Sequence, residues 1–289
     1  MKILLSLLLV STLTFMAAAI AKAPVWKVSK GDDYLYLGGT IHVLSKNDYP
    51  LPQAFETAYN NVDDIVLESD IAALLAPEVQ GRILNAMSYQ DHRALSNVLD
   101  RDTYRQLDQL LKSRGIPIAV FDRFTPAGAM MALTQFELQK LGVVGGEGVD
   151  AHFGARAIRD KKESLFLESF EQQLGFIQSM NQLEPNSVIK SGIKDIETLE
   201  TSWLEILGAW RSGDLDKLEK IGIDEMKREF PALYQTILVK RNDYWLDEID
   251  AMMLSEDKEF ILVGALHMAG PDGLITRLNA AGYTVSQLD

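Results

Sequence analysis

Four short apolar runs end in only two ways, and that repetition restricts the fold more than anything else in the chain. YLYLGGTIH (34–42) and EFILVGALH (259–267) both run into Gly-x-x-His, while DIVLES (64–69) and SLFLES (164–169) both close on Leu-Glu-Ser. Short apolar runs bounded by Gly, Asp or Ser read as strands. Their order along the chain delivers His42, Glu68, Glu168 and His267, which implies two related halves, each supplying one imidazole and one carboxylate from strand ends. In open α/β sheets ligands lie beyond the carboxyl ends of the strands, so four polar groups from distant parts of the chain are expected to meet in one crevice. Gly39 and Gly264 would permit a tight turn or a close backbone approach just before each imidazole.

The rest of the pattern is mainly helical. Strands are expected at 25–28, 34–37, 64–67, 165–167, 260–263 and 283–285, with 34–37 buried on both faces. Amphipathic helical stretches fall at 53–61, 77–87, 103–113, 126–141, 149–161, 170–180, 195–211 and 242–254. The fold class is therefore α/β, or mixed α+β: a small central sheet from two pseudo-symmetric halves, surrounded by many helices. No Pro-, Ser- or Gly-rich linker divides the chain, so 22–289 reads as a single domain in which 71–141 forms a helical insertion or lid.

Residues 1–21, MKILLSLLLVSTLTFMAAAIA, combine one Lys, a long apolar run and a small-residue Ala-x-Ala end. That is the pattern of a secretory signal peptide, cleaved after Ala21, and it implies a periplasmic or secreted protein. The remaining 268 residues are enough to bury roughly 70–75% of the unfolded surface. The chain has no Cys, which excludes disulfides, thiolate metal sites and a thiol nucleophile. Loss of Lys2 with the leader takes the formal charge from -13 to -14. Such acidity repels phosphate backbones and anionic lipid heads, so neither nucleic acid nor, after signal removal, a membrane is an expected partner.

Two imidazoles with one or two carboxylates are the usual donors for a divalent transition metal that keeps positions open for water and substrate. The alternative is four polar residues satisfied by ordinary hydrogen bonds; what favours a shared site is that two of only four His in the chain sit in the same motif at opposite ends. Either Glu68 or Glu168 would ligate metal, act as general base or orient a histidine from behind. His92 and His152 follow helix-start patterns and read as exposed or structural. The glycine-rich GVVGGEGVD (142–150) lacks the lysine of a phosphate loop and reads as a loop bordering the cleft. No His-Glu-x-x-His, Gly-x-Ser-x-Gly or Gly-x-Gly-x-x-Gly is present, which removes the common zinc protease, serine hydrolase and dinucleotide readings.

Seven segments in order, LGGTIHVL (37–44), IVLESD (65–70), GEGVDAHF (146–153), LFLESFEQQL (165–174), AWRSGD (209–214), RNDYW (241–245) and VGALHMAGPDGL (263–274), resemble the TraB/GumN family, bacterial relatives of the Tiki metalloproteases. The resemblance covers nearly the whole chain after the leader. It implies a pseudo-symmetric α/β fold with both Gly-x-x-His motifs facing one metal, Mn or Co by resemblance and Zn as a further possibility, and it implies peptidase activity. Carried over, His42, Glu68 and His267 are the metal ligands and Glu168 the general base. Arg241 stabilises the oxyanion, a helix-start or surface salt-bridge role being the alternative for it, and Asn242 helps to orient that oxyanion. Gln172 and Gln173 match a substrate-binding segment. FDRFTPAG (121–128) departs from the family, which commonly has Lys-Pro-Trp there. The competing reading is a non-catalytic ligand- or haem-binding regulatory protein of the periplasm.

Overall fold

The computed structural model describes residues 22–289; the expected signal peptide, 1–21, lies outside the described residues. All six expected strands form: β1 (Val25–Lys30), β2 (Asp33–Thr40), β4 (Asp64–Leu67), β6 (Ser164–Phe166), β7 (Glu259–Gly264) and β8 (Thr284–Gln287), joined by two short ones, β3 (Val43–Leu44) and β5 (Val144–Gly145). Six of them build one sheet in the order β6-β4-β7-β2-β1-β8, and β3 pairs with β5 separately.

That order decides where the chemistry sits. β6, β4, β7 and β2 are mutually parallel, while β1 runs antiparallel to both β2 and β8. The two Leu-Glu-Ser strands are direct neighbours, with Leu67 opposite Phe166, and so are the two Gly-x-x-His strands, with Thr40 opposite Gly264. The halves are thus interleaved rather than set side by side. Because the four strands are parallel, their carboxyl ends share one edge, and Glu168, Glu68, His267 and His42 follow directly from it.

Helices cover both faces, as an extended apolar strand pattern requires. Along β7, Phe260 and Leu262 enter one core, with the helices Gln53–Asn60 and Val149–Asp160, while Ile261 and Val263 enter the other, with Trp245 and Ile249 of the helix Lys240–Met252 and Leu278 of the helix Leu274–Ala280. β2 is buried from Leu35 to its end, as 34–37 led one to expect.

Region 71–141 contains the expected helices, Pro77–Ala86, Arg101–Ser113 and Pro126–Lys140, and gathers a third core around Leu95, Leu107, Leu111 and Leu133. The long helix expected from 195 begins instead at Pro185, where Glu184 accepts hydrogen bonds from the Asn186 and Ser187 N–H groups and Pro occupies the first turn. It carries Ile189 and Ile196 into the third core and Ala209 and Trp210 into the first. The stretch 215–239, for which no element was expected, is also helical: Leu215–Gly222, Asp224–Glu229, Pro231–Tyr234, and a π-helical turn, Gln235–Val239. These pieces are too short for an apolar period to stand out. Among the described residues no helix is long and apolar enough to cross a membrane.

Candidate active site

His42 lies two residues beyond β2, and the glycine-rich segment holds it there. That segment contains a strand, β5, which pairs with β3 immediately after His42, so the expected plain loop is a strand and a turn. The turn brings Gly148 and the first residues of Val149–Asp160 against the Ile41 and His42 backbone, and the Val149 N–H donates to the Ile41 carbonyl at 3.0 Å. A Cβ on Gly148 would stand 2.3 Å from the His42 carbonyl oxygen, so only glycine permits this approach. His42 Nδ1–H donates to Asp150 Oδ2 at 2.5 Å. Desolvation disfavours the charged ring, but the Asp150 carboxylate outweighs it and raises the His42 pKa to about 9. The ring is 57% exposed, so solvent screens part of this attraction.

His267 has the opposite environment. It sits in a short turn of 3-10 helix, Ala265–Met268, after β7, and is buried with the Trp245 ring 4.4 Å away. Its Nδ1–H donates to Asn242 Oδ1 at 2.7 Å, while the Asn242 amide nitrogen donates to the His267 and Asp272 carbonyls at 3.2 and 2.8 Å. Burial lowers the His267 pKa to about 3, so the ring is neutral and its Nε2 presents a lone pair. Arg241 Nη1 points at that lone pair from 3.2 Å.

Arg241 ties the carboxylates together. It opens the Lys240–Met252 helix directly after the π-helical turn, with its guanidinium 4.8 Å from the Phe176 ring centre and 4.7 Å from that of Trp245. Its Nε and Nη2 donate to the two oxygens of Glu168 at 2.7 and 2.9 Å, and Nη2 also donates to Glu68 Oε2 at 2.5 Å. Glu168 is buried and the Arg241 and Glu68 side chains are only 12% and 10% exposed, so the pair is not a surface salt bridge, although Arg241 does lie in the first turn of its helix. Burial works against the Glu68 charge, but Arg241, followed by His42 and His267, holds its pKa near 2. Glu168 is shifted the other way: burial raises it, more than Arg241 lowers it. Gln173 donates to Glu168 Oε2 at 2.5 Å.

Gly264 marks the convergence point. Glu68 Oε1 accepts its N–H at 2.6 Å. A Cβ built on Gly264 would lie 3.3 Å from Glu68 Oε1, 3.6 Å from His42 Nε2 and 3.6 Å from His267 Cδ2. The three expected metal ligands therefore surround one small space that a side chain would fill. Among the described residues no group of three or more His, Cys, Asp or Glu is arranged to hold a metal ion as it stands; the Arg241 guanidinium instead bonds Glu68, Glu168 and His267 together.

Not every expected residue joins this cluster. Gln172 caps its own helix: its Oε1 accepts from the Ser169 N–H at 2.8 Å and it faces solvent, so of the glutamine pair only Gln173 reaches the site. Asn242 is fully buried and spends its amide on His267 and Asp272, which makes it a positioning residue for the imidazole, not an oxyanion contact. His152 packs 5.3 Å from the Tyr49 ring and His92 is exposed, both outside the cluster. The departing segment 121–128 contributes Phe121, with Phe124 packed against it, to the third core and lines neither pocket at His42. Asp150 was not singled out in the sequence, although it lies inside GEGVDAHF; an acid two residues before a histidine already assigned elsewhere gave no signal of its own. Trp210, inside AWRSGD, donates its indole N–H to the Gly39 carbonyl at 2.7 Å and so anchors the first motif to the long helix.

Two pockets meet at the cluster. One of about 240 Å³ is lined by Ser69, Asp150 and Gly146; the other, of about 510 Å³, by Phe176, Ile177 and Leu266; His42, Glu68 and Gln173 line both.

The model of the TraB/PrgY/gumN family matches residues 24–287. The chain is similar to the uncharacterized protein YbaP of Escherichia coli (strain K12), 22% identical over 250 residues that cover 84% of this chain and 87% of that protein. The YbaP of Shigella flexneri matches to the same extent. No solved structure matches.

Proposed function

Since the chain belongs to the TraB/PrgY/gumN family, we propose that the cluster around Gly264 is the active site of a metal-dependent hydrolase acting on peptides. The observation that carries this is the convergence of Glu68 Oε1 and the two imidazoles on the space beside Gly264, with each ring anchored through Nδ1, His42 by Asp150 and His267 by Asn242. Anchoring Nδ1 leaves Nε2 of each ring facing the shared space, which is how metal-bound histidines are ordinarily oriented; His267 already presents a lone pair there, while on His42 a metal would displace the Nε2 proton. Two imidazole nitrogens and one carboxylate suit Mn, Co or Zn, so His42, Glu68 and His267 would hold the ion. A bound divalent ion supplies an acidified water and polarises the scissile carbonyl.

The remaining residues have roles that follow from their surroundings. Arg241 keeps a two-point pair with Glu168, which would hold it in the site if Glu68 turned to a metal, and the Nη1 proton now directed at His267 Nε2 would then be freed for developing negative charge on a carbonyl oxygen, the other staying on the Ile237 carbonyl. Glu168, whose pKa burial raises, would accept the water proton and return it to the leaving amine. Gln173 holds the carboxylate of Glu168 in place. The exported location rests on residues 1–21 and predicts a mature chain beginning at Lys22, read by the mass of the protein recovered from the periplasm or medium.

Metal analysis of the protein as isolated, followed by incubation with Mn, Co or Zn and a peptide library, tests the proposal. Metal-dependent cleavage that His42→Ala and His267→Ala both abolish supports it. A Soret band with no cleavage assigns the site to the competing haem-binding role, and no metal uptake at all removes the hydrolase.

A further inference from the structure

Asn242 can order the His267 proton only if its own amide cannot turn over. An amide has two N–H groups that need acceptors and an oxygen that accepts. Here both acceptors are carbonyls, that of His267 at 3.2 Å and that of Asp272 at 2.8 Å. Turned over, the amide would set its oxygen against two other oxygens at a position that is fully buried, where an unpaired polar group is costly. Oδ1 must therefore face the ring, and the ring must carry its proton on Nδ1, 2.7 Å away. The shorter of the two carbonyl contacts depends on where the bend 269–273 puts Asp272. Gly270 at φ +77° and the Gly273 N–H, which donates to the Gly270 carbonyl at 3.2 Å, close that bend. A second bond fixes the side chain: the buried Tyr234 donates its hydroxyl to Asp272 Oδ2 at 2.6 Å.

Tyr234 and Asn242 belong to one helical run, 231–252, and both reach Asp272. Eight residues apart in a regular α-helix, at about 100° per residue, they would point about 80° apart. The π-helical turn Gln235–Val239 lies between them, and such a turn takes up about one extra residue. The separation becomes that of seven α-helical residues, about 20°. The π-helical turn thus aims both side chains at the same residue.

We propose that Tyr234 and Asp272 are positioning residues for His267, acting through Asn242. The Tyr234 hydroxyl pins the Asp272 carboxylate, the Asp272 carbonyl fixes the Asn242 amide, and that amide keeps the proton on His267 Nδ1 and leaves Nε2 free. Arg241 Nη1 meets Nε2 from the other side at 3.2 Å and supports the same tautomer. A metal at Nε2 would take that place, and the Asn242 contact is what would still orient the ring. The series of bonds exists without a metal; its use in ligation rests on the hydrolase reading.

Hydrogen exchange of the His267 Nδ1–H tests this without a metal, by NMR on protein with isotope-labelled histidine, chelator present and the signal assigned with His267→Gln. Tyr234→Phe and Asp272→Ala should each speed that exchange about two- to tenfold, the range for one hydrogen bond, while the amide protons of β7 keep their rates. Asp272→Asn, whose amide oxygen still accepts from the hydroxyl, should retain the slow rate. Calorimetry with Mn or Co should show the first two variants binding about two- to tenfold more weakly, and Asp272→Asn binding as the wild type does. The Asp272 side chain is 39% exposed, so its variants are expected to fold even if Tyr234→Phe does not. An Nδ1–H exchange that neither Asp272→Ala nor Tyr234→Phe moves, or that moves only in step with the β7 amides, overturns the proposal. Accelerated exchange in a protein that takes up no metal upholds the positioning role and removes the hydrolase. Metal uptake equal in all variants, with exchange unmoved, does the reverse.

Discussion

Arg241 is the residue on which the site's own stability turns. It is the cation shared by two buried carboxylates, and its removal leaves both without a partner in a desolvated place. With chelator present, Arg241→Met is expected to cost about 3–5 kcal/mol in urea unfolding, the usual penalty for breaking a buried pair. Adding Glu68→Gln and Glu168→Gln to that variant should recover much of the loss, because the uncompensated charges go with it. The two histidines make pH a second probe. Between pH 6.5 and about 3 the unfolded chain takes a proton on His267 that the folded protein refuses, so metal-free stability falls as pH drops. Glu68 adds a loss of the same sign between 4.5 and about 2. His42 acts oppositely: its contribution is complete below 6.5 and disappears as pH rises through about 9, reduced by its exposure. The melting temperature of the metal-free protein should therefore peak near pH 6.5, and Asp150→Asn should flatten the alkaline side; a peak unmoved by that change would refute the assignment. The same substitution is expected to lower metal affinity about 10–100-fold, as loss of an outer partner on a ligating histidine does.

Elements place these side chains through backbone contacts that leave no room for substitution. The turn from β5 into Val149–Asp160 touches the His42 backbone at Gly148, where a methyl group would meet the carbonyl oxygen at 2.3 Å. Gly148→Ala should cost about 1–3 kcal/mol, the scale of overpacking, and should reduce metal binding as well, measured by calorimetry beside thermal unfolding. Loss of stability without loss of metal binding would mean the turn does not position His42. The strands were legible because each is an apolar run closed by Gly, Asp or Ser, and the long amphipathic helices because their period is unbroken over several turns. The helices between 215 and 239 were not, since none has more than 8 residues and the π-helical turn before Arg241 carries no residue signature. Gln172 misled for a related reason: two adjacent glutamines are equivalent in sequence, and only the Ser169 cap shows which one faces out.

Across the whole molecule the helix Pro185–Arg211 is the link between the sheet and the third core. Its 27 residues span about 40 Å, with Ile189 and Ile196 at one end and Trp210 at the other. Thr201 is exposed midway, and Thr201→Pro there should cost about 3 kcal/mol. It should also split calorimetric unfolding into two transitions, one for the sheet with its two cores and one for the helices of 71–141. A single transition in that variant would mean the cores are coupled by other contacts.

Residue order alone determined the repeated motifs, the mixed α/β class and the histidines and glutamates worth watching, because strand signals and motif spacing are local properties of the chain. Tertiary structure decided that the motif halves interleave, that Asp150 and Asn242 stand behind the imidazoles, and that Arg241 occupies the middle of the cluster. Those facts come from which strands pair and which turns touch across separations from 25 residues, Asn242 to His267, to well over a hundred, and no local pattern encodes such distances.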